Sequence, residues 1–206
     1  MQPVITTIPG YKINDYLIVL RPHQELWNKL MQVKNDFADN YDSEHARKTH
    51  PHIALVKFTQ YEMMEEKIIN RLKNIAMAQF PFKIELKDFG SYPSHTIYIN
   101  VPTKVPFQSL VRSIRSETQR LMKLNPENKP HFMMDPHLTI ARKLKPWQFE
   151  KGWLEYSHKN FTARFIASEM VLLKRGEDDV SRKYVTAGRF VFQNMPVTTK
   201  QGELFV

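Results

Sequence analysis

The strongest constraint on this chain is a short internal repeat. Pro51-His52-Ile53-Ala54-Leu55 returns in the second half as Pro136-His137-Leu138-Thr139-Ile140. In a strand, side chains at i and i+2 point to the same side, so His52 shares a face with Ala54, and His137 with Thr139. Both copies fall at the same station of a duplicated element order, the strand after the first helix of each half. Halves related by a pseudo-two-fold turn those two faces toward one another across a cleft.

The patterning that defines the stations is regular. Strands are expected at 15–20, 51–58, 82–89, 95–101 and 135–141, then as two long strands at 161–174 and 183–193 around a polar turn at 175–181. Leu26, Leu30, Val33 and Phe37 predict a helix over 23–38, and Met64, Ile68, Leu72 and Ile75 a second over 61–78. A third is expected at 106–124, carrying Arg112, Arg115, Arg120 and Lys123 on its wetter side, and a short fourth at 147–157 with Trp147 and Trp153 as packing anchors. Residues 40–49 and 125–130 are polar and read as loops. The order is strand-helix-strand-helix-strand, then the same again, then a last strand. It suits α/β and α+β folds alike, because periodicity does not give strand direction.

Composition narrows the class. With 42% hydrophobic residues the chain is not disordered, and with no cysteine it is not a disulfide-stapled secreted module. The longest clean apolar runs are four residues, such as Leu17–Leu20, against the roughly 20 of a membrane span. Met1-Gln2-Pro3-Val4 lacks the basic start of a signal peptide, so a soluble cytoplasmic protein is expected. Thirty Lys and Arg against 21 Asp and Glu leave a net charge of +9, which suits an anionic partner.

Two imidazoles opposed across a cleft are what a metal-free phosphoryl transfer needs. One takes a proton from the attacking oxygen and the other gives one to the leaving oxygen. A Thr hydroxyl two residues on can donate to a phosphate oxygen that gains charge.

These strands, their duplicated order and the length resemble the 2H phosphoesterases, the LigT-like or 2′,5′ RNA ligase-like superfamily, over roughly 15–193. The resemblance implies an α+β bilobal fold whose two antiparallel sheets line a central groove. It implies one domain over 15–195, with lobes at roughly 15–95 and 96–195 between which strands can exchange, a lead-in at 1–14 and a tail at 196–206. It further implies metal-independent cleavage of 2′,3′-cyclic or related phosphodiesters, or reversible 2′,5′ bond formation, with RNA or a nucleotide as partner. No cofactor, metal or membrane is called for, and a monomer is expected. His52 and His137 would be the catalytic pair and Thr139 the phosphate ligand. Ala54 departs from the family's Thr or Ser. Losing that charge-assisted hydrogen bond costs about 1.5–3 kcal/mol, one to two powers of ten in rate, while both proton-transfer groups stay.

Other readings compete. His45, His50 and His52 suggest a divalent metal site, although no cysteine or close carboxylate cluster completes it and Pro51 constrains the pair. Six glycines form neither a P-loop nor a dinucleotide fingerprint. Ala54 and the charge allow a non-catalytic RNA or nucleotide binder. The basic helix face reads as solvated or as an RNA track. Tyr92, Tyr98 and Phe58 read as base-stacking or as core.

Overall fold

The structure, a computed structural model, describes residues 11–176 and 183–195. Most of the expected lead-in and of the 175–181 turn, and the tail, lie outside the described residues. Strands β1 (Ile13–Leu20), β2 (Ile53–Tyr61), β3 (Phe82–Tyr92), β4 (Thr96–Asn100), β5 (His131–Phe132), β6 (His137–Arg142), β7 (Thr162–Ala167), β8 (Glu169–Gly176) and β9 (Val185–Val191) pair antiparallel throughout. Their order is β7-β3-β4-β6-β2-β1-β8-β9, with β5 on β2. Two four-stranded arrays therefore meet edge to edge, and the pairing between β2 and β6 is the single pair Ile53–Leu138.

Helices α1 (Gln24–Tyr41), α2 (Glu44–Lys48), α3 (Glu65–Ala78), α4 (Val105–Met122) and α5 (Pro146–Tyr156) cover one side. Helix α1 packs on β6 and α5, and α5 on β4; α3 and α4 pack together, on β9 and β2 respectively. Leu26, Leu30, Phe37, Ala38 and Tyr41 bury the α1 stripe, and Ile68, Leu72 and Ile75 that of α3. Together with alternate strand residues they form one continuous core across both arrays. The other side of the sheet carries a smaller apolar cluster, Leu17, Val19, Val171 and Leu173.

Several expectations need correction. The strand foreseen at 161–174 is two strands, broken at Ser168 and belonging to opposite arrays: β7 pairs with β3, and β8 with β1 and β9. Phe165 and Ala167 face the main core, then Met170 and Leu172, so the alternation slips one position where the chain crosses. The arrays consequently interleave the chain, with strands exchanged across residue 95: β3 joins β4, β6 and β7, while β8 and β9 join β1 and β2. The 40–49 loop contains α2, because buried Ala46 seats it on β6. Trp153 packs on the core, but Trp147 is 43% exposed, with Lys151 over its ring. Phe58 stacks on buried Tyr16, so its ring is core.

Candidate active site

The Ile53–Leu138 pair sets the site. Both side chains are fully buried on the core side, so the residues flanking them face the other way. One position along the antiparallel ladder, His52 lies across from Thr139 and Ala54 across from His137. All four are partly exposed. Extending the β1–β2 and β4–β6 registers gives two rows on this open face. The first runs Arg21, His52, Thr139, Tyr98; the second runs Val19, Ala54, His137, Asn100.

Both imidazoles are anchored alike. Nδ1 of His52 lies 2.8 Å from the His50 carbonyl, and Nδ1 of His137 lies 3.2 Å from that of Asp135. A carbonyl only accepts, so each Nδ1 carries a proton and each Nε2 is left free for chemistry. The repeated proline between each histidine and its carbonyl, Pro51 and Pro136, is buried and fixes φ in that step.

Their surroundings differ. Burial pushes the His52 pKa down to about 4, against the opposing bond to the His50 carbonyl; Lys34, Arg142 and Arg21 lower it further. His52 is thus a neutral imidazole at pH 7. His137 sits in an aromatic corner, its ring 5.3 Å from that of Tyr92 and 5.1 Å from that of Tyr98. The Tyr92 hydroxyl is 3.4 Å from its Nδ1, and burial raises the Tyr92 pKa, keeping the phenol protonated. Tyr98 reaches this position because Gly90 lies across from it on β3; a Cβ there would come within 2.7 Å of the tyrosine ring. Asn100, beside His137, donates to the Asp88 carbonyl at 3.2 Å.

Lys34 reaches from α1 to the second motif strand. Its fully buried ammonium donates to the carbonyls of Thr139 (3.1 Å) and Ile140 (2.6 Å), where β6 has parted from β2. Burial and Arg142 push its pKa down to about 7. Sequence reasoning missed it, although the signal was present: Lys34 occupies a core position on the α1 stripe, four residues after Leu30. Arg142 was legible only as part of a basic stretch, and Asn100 and Arg21 not at all.

The histidines suggested for a metal are separately engaged. His45 Nε2 accepts from Arg142 at 3.0 Å, the His50 ring lies 5.7 Å from that of Trp27, and His52 turns to its own backbone. No group of three His, Asp or Glu side chains able to hold a metal occurs among the described residues. Nor is any described helix long and apolar enough to cross a membrane. Surface depressions of about 550 Å³ beside His23, Lys83 and Arg164, and about 210 Å³ beside Tyr156 and Phe161, include no motif residue. The chemistry-bearing groups stand on the open face instead. Arg112, Arg115, Arg120 and Lys123 are all exposed.

Comparison with known proteins shows the family and the fold. Residues 22–179 match the model of the 2′-5′ RNA ligase superfamily. A Bacillus licheniformis protein named "Putative phosphoesterase" is 26% identical over 139 residues, 63% of this chain and 71% of its own. A Bacillus pumilus protein of the same name is 26% identical over 132 residues, 63% of this chain and 70% of its own. In fold, the chain is similar to TT0787 of Thermus thermophilus, with a TM-score of 0.63 at 15% identity, covering 87% of this chain and 98% of that one. Escherichia coli LigT, solved with 3′-AMP, gives a TM-score of 0.60 at 14% identity over 88% and 98%. The chain belongs to the 2′-5′ RNA ligase superfamily and has the LigT-like α+β fold.

Proposed function

We propose that this chain is a metal-independent phosphodiesterase that opens 2′,3′-cyclic or 2′,5′-linked nucleotide and RNA phosphodiesters by two-histidine acid–base catalysis. The observation that carries this reading is the matched anchoring of both Nδ1 atoms, which leaves both Nε2 atoms free on the face that holds Thr139. LigT's structure with 3′-AMP supports a nucleotide as the ligand class.

His52, neutral at pH 7, acts as the base. Its Nε2 takes a proton from water as the water oxygen bonds to phosphorus. Protonated His137 gives its Nε2 proton to the ribose oxygen as the P–O bond to it breaks, yielding a phosphomonoester. Thr139 donates to a phosphate oxygen as charge builds on it. Both protons move between imidazoles and substrate, so the scheme requires no metal. Run in the same direction with the 5′-hydroxyl of an oligonucleotide in place of water, the same two transfers open the cyclic phosphate, form the 2′,5′ bond and release the 3′ oxygen as a hydroxyl.

The test is turnover of 2′,3′-cyclic nucleotides and cyclic-ended oligoribonucleotides in the presence of EDTA. Activity is expected to persist with EDTA and to be lost on replacing either histidine with alanine; turnover that survives both substitutions overturns the mechanism. A second reading, a nucleotide or RNA binder without turnover, rests on Ala54, whose methyl joins the apolar cluster of Val19 and Val171 where a hydroxyl would serve phosphate. It predicts binding with a steep salt dependence and no product.

A further inference from the structure

Ala54 leaves the second row of the open face without a phosphate donor. The first row has a cation whose donors neither the fold nor the proton transfers engage among the described residues. Arg21 follows the last residue of β1. Leu20 pairs with Ile53, so Arg21 falls across from His52, on the side away from Thr139. Its side chain is partly buried. Among the described residues it makes no hydrogen bond or ion pair. The nearby carboxylate, Glu169, is already held by Arg189 at 2.5 and 3.2 Å. Burial and the Arg189 charge both work against the Arg21 cation, and Glu169 offsets them in part. A guanidinium held half out of water beside another guanidinium, with no acceptor among the described residues, is suited to a mobile anion.

We propose that Arg21 is a phosphate-binding residue, which together with Thr139 brackets the phosphate on the two sides of His52 and takes over the task of the hydroxyl missing at Ala54. The inference rests on reading this face as a phosphodiester site. The fork of Arg21 offers two parallel donors where a threonine offers one. It lies diagonal to Ala54 across the β1–β2 pair, within reach of a long side chain. Arg21 draws the anion toward the neutral imidazole, and its charge holds His52 in the basic form.

The experiment measures inorganic phosphate binding by calorimetry, and steady-state turnover of a 2′,3′-cyclic nucleotide, for wild type, Arg21→Gln, Arg21→Lys, Ala54→Thr and the double variant Arg21→Gln/Ala54→Thr. Arg112→Gln, on the exposed face of α4, controls for net charge. Arg21→Gln is expected to weaken phosphate binding roughly tenfold or more and to raise KM. Arg21→Lys is expected to fall between it and wild type. Ala54→Thr is expected to help more in the Arg21→Gln background than in wild type, because it then restores the only donor on that side. Binding by Arg21→Gln that equals wild type, or that drops no further than Arg112→Gln, overturns the proposal, as does equal benefit from Ala54→Thr in both backgrounds. Thermal melts identify any variant that has lost its fold, and Arg21→Lys then decides the case. The two readings fail separately. Phosphate binding that depends on Arg21 without turnover sinks the phosphodiesterase but keeps Arg21, whereas turnover indifferent to Arg21 does the reverse.

Discussion

His52 and His137 stand on equivalent strands, hang from equivalent carbonyls and face the same way, yet they have been given opposite company. His52 has three cations around it and a hydroxyl across the joint. His137 has two tyrosine rings, an asparagine and a methyl group. The difference teaches how a duplicated strand can serve a reaction that is not symmetric. An imidazole crowded by positive charge stays neutral, which in the proposed mechanism suits His52 to the base and leaves the acid to its twin. Symmetric backbone places the two groups; asymmetric side chains give them different surroundings.

The largest expected effect breaks the comparison outright. Replacing either histidine with alanine should lower kcat by a hundredfold or more. The residual pH–rate profiles should differ, with the acidic limb lost in His52→Ala and the alkaline limb lost in His137→Ala. Identical profiles would mean that the roles are not divided. Next in size is the joint itself. Lys34→Met strands the carbonyls of Thr139 and Ile140 in the interior and should cost about 2–4 kcal/mol in urea denaturation; a loss below about 0.5 kcal/mol would show that the joint does not depend on it. Thr139→Val removes the one hydroxyl of the four motif positions, and a ten- to hundredfold drop in rate is expected.

Smaller effects sharpen the picture. The folded pKa of His52 lies near 4, below the ordinary 6.5, so between those values the unfolded chain binds more protons. Stability tied to this residue is therefore intact above about pH 6.5 and lost as the pH falls toward 4, on the order of 1–3 kcal/mol. A His52→Gln variant should lack that component, and denaturation curves at pH 7 and 4.5 measure it. The least effect is a gain: Ala54→Thr should raise turnover a fewfold by returning a donor beside His137, and a fall would show that the apolar row with Val19 and Val171 is itself needed.

Much of this was legible in the chain. The helical stripes of α1, α3 and α4 are periodic enough to place those helices within a few residues, and period two set the open face for all four motif positions. The crossover at Ser168 escaped because the 161–174 run contains no glycine or proline to mark a break, and a strand that changes partners needs only one slipped position to do so. Lys34 escaped because a lone lysine on an apolar stripe looks like an interruption until the carbonyls of Thr139 and Ile140 are seen to accept from it. Arg21 escaped because its importance lies in what it fails to touch.

The sequence by itself determined the duplication, the pair of proline-held histidines, the loss of a hydroxyl at Ala54 and the excess of positive charge. Those properties follow from local geometry: strand alternation, fixed φ at proline and the identity of each side chain. Tertiary structure alone decided that β2 and β6 touch at one pair, and that Lys34, Arg21 and Arg142 gather on one histidine and tyrosines on the other. Strand partners are chosen by contacts distant in the chain, and a pKa is set by burial and charge summed over space, so neither could be read along a single dimension.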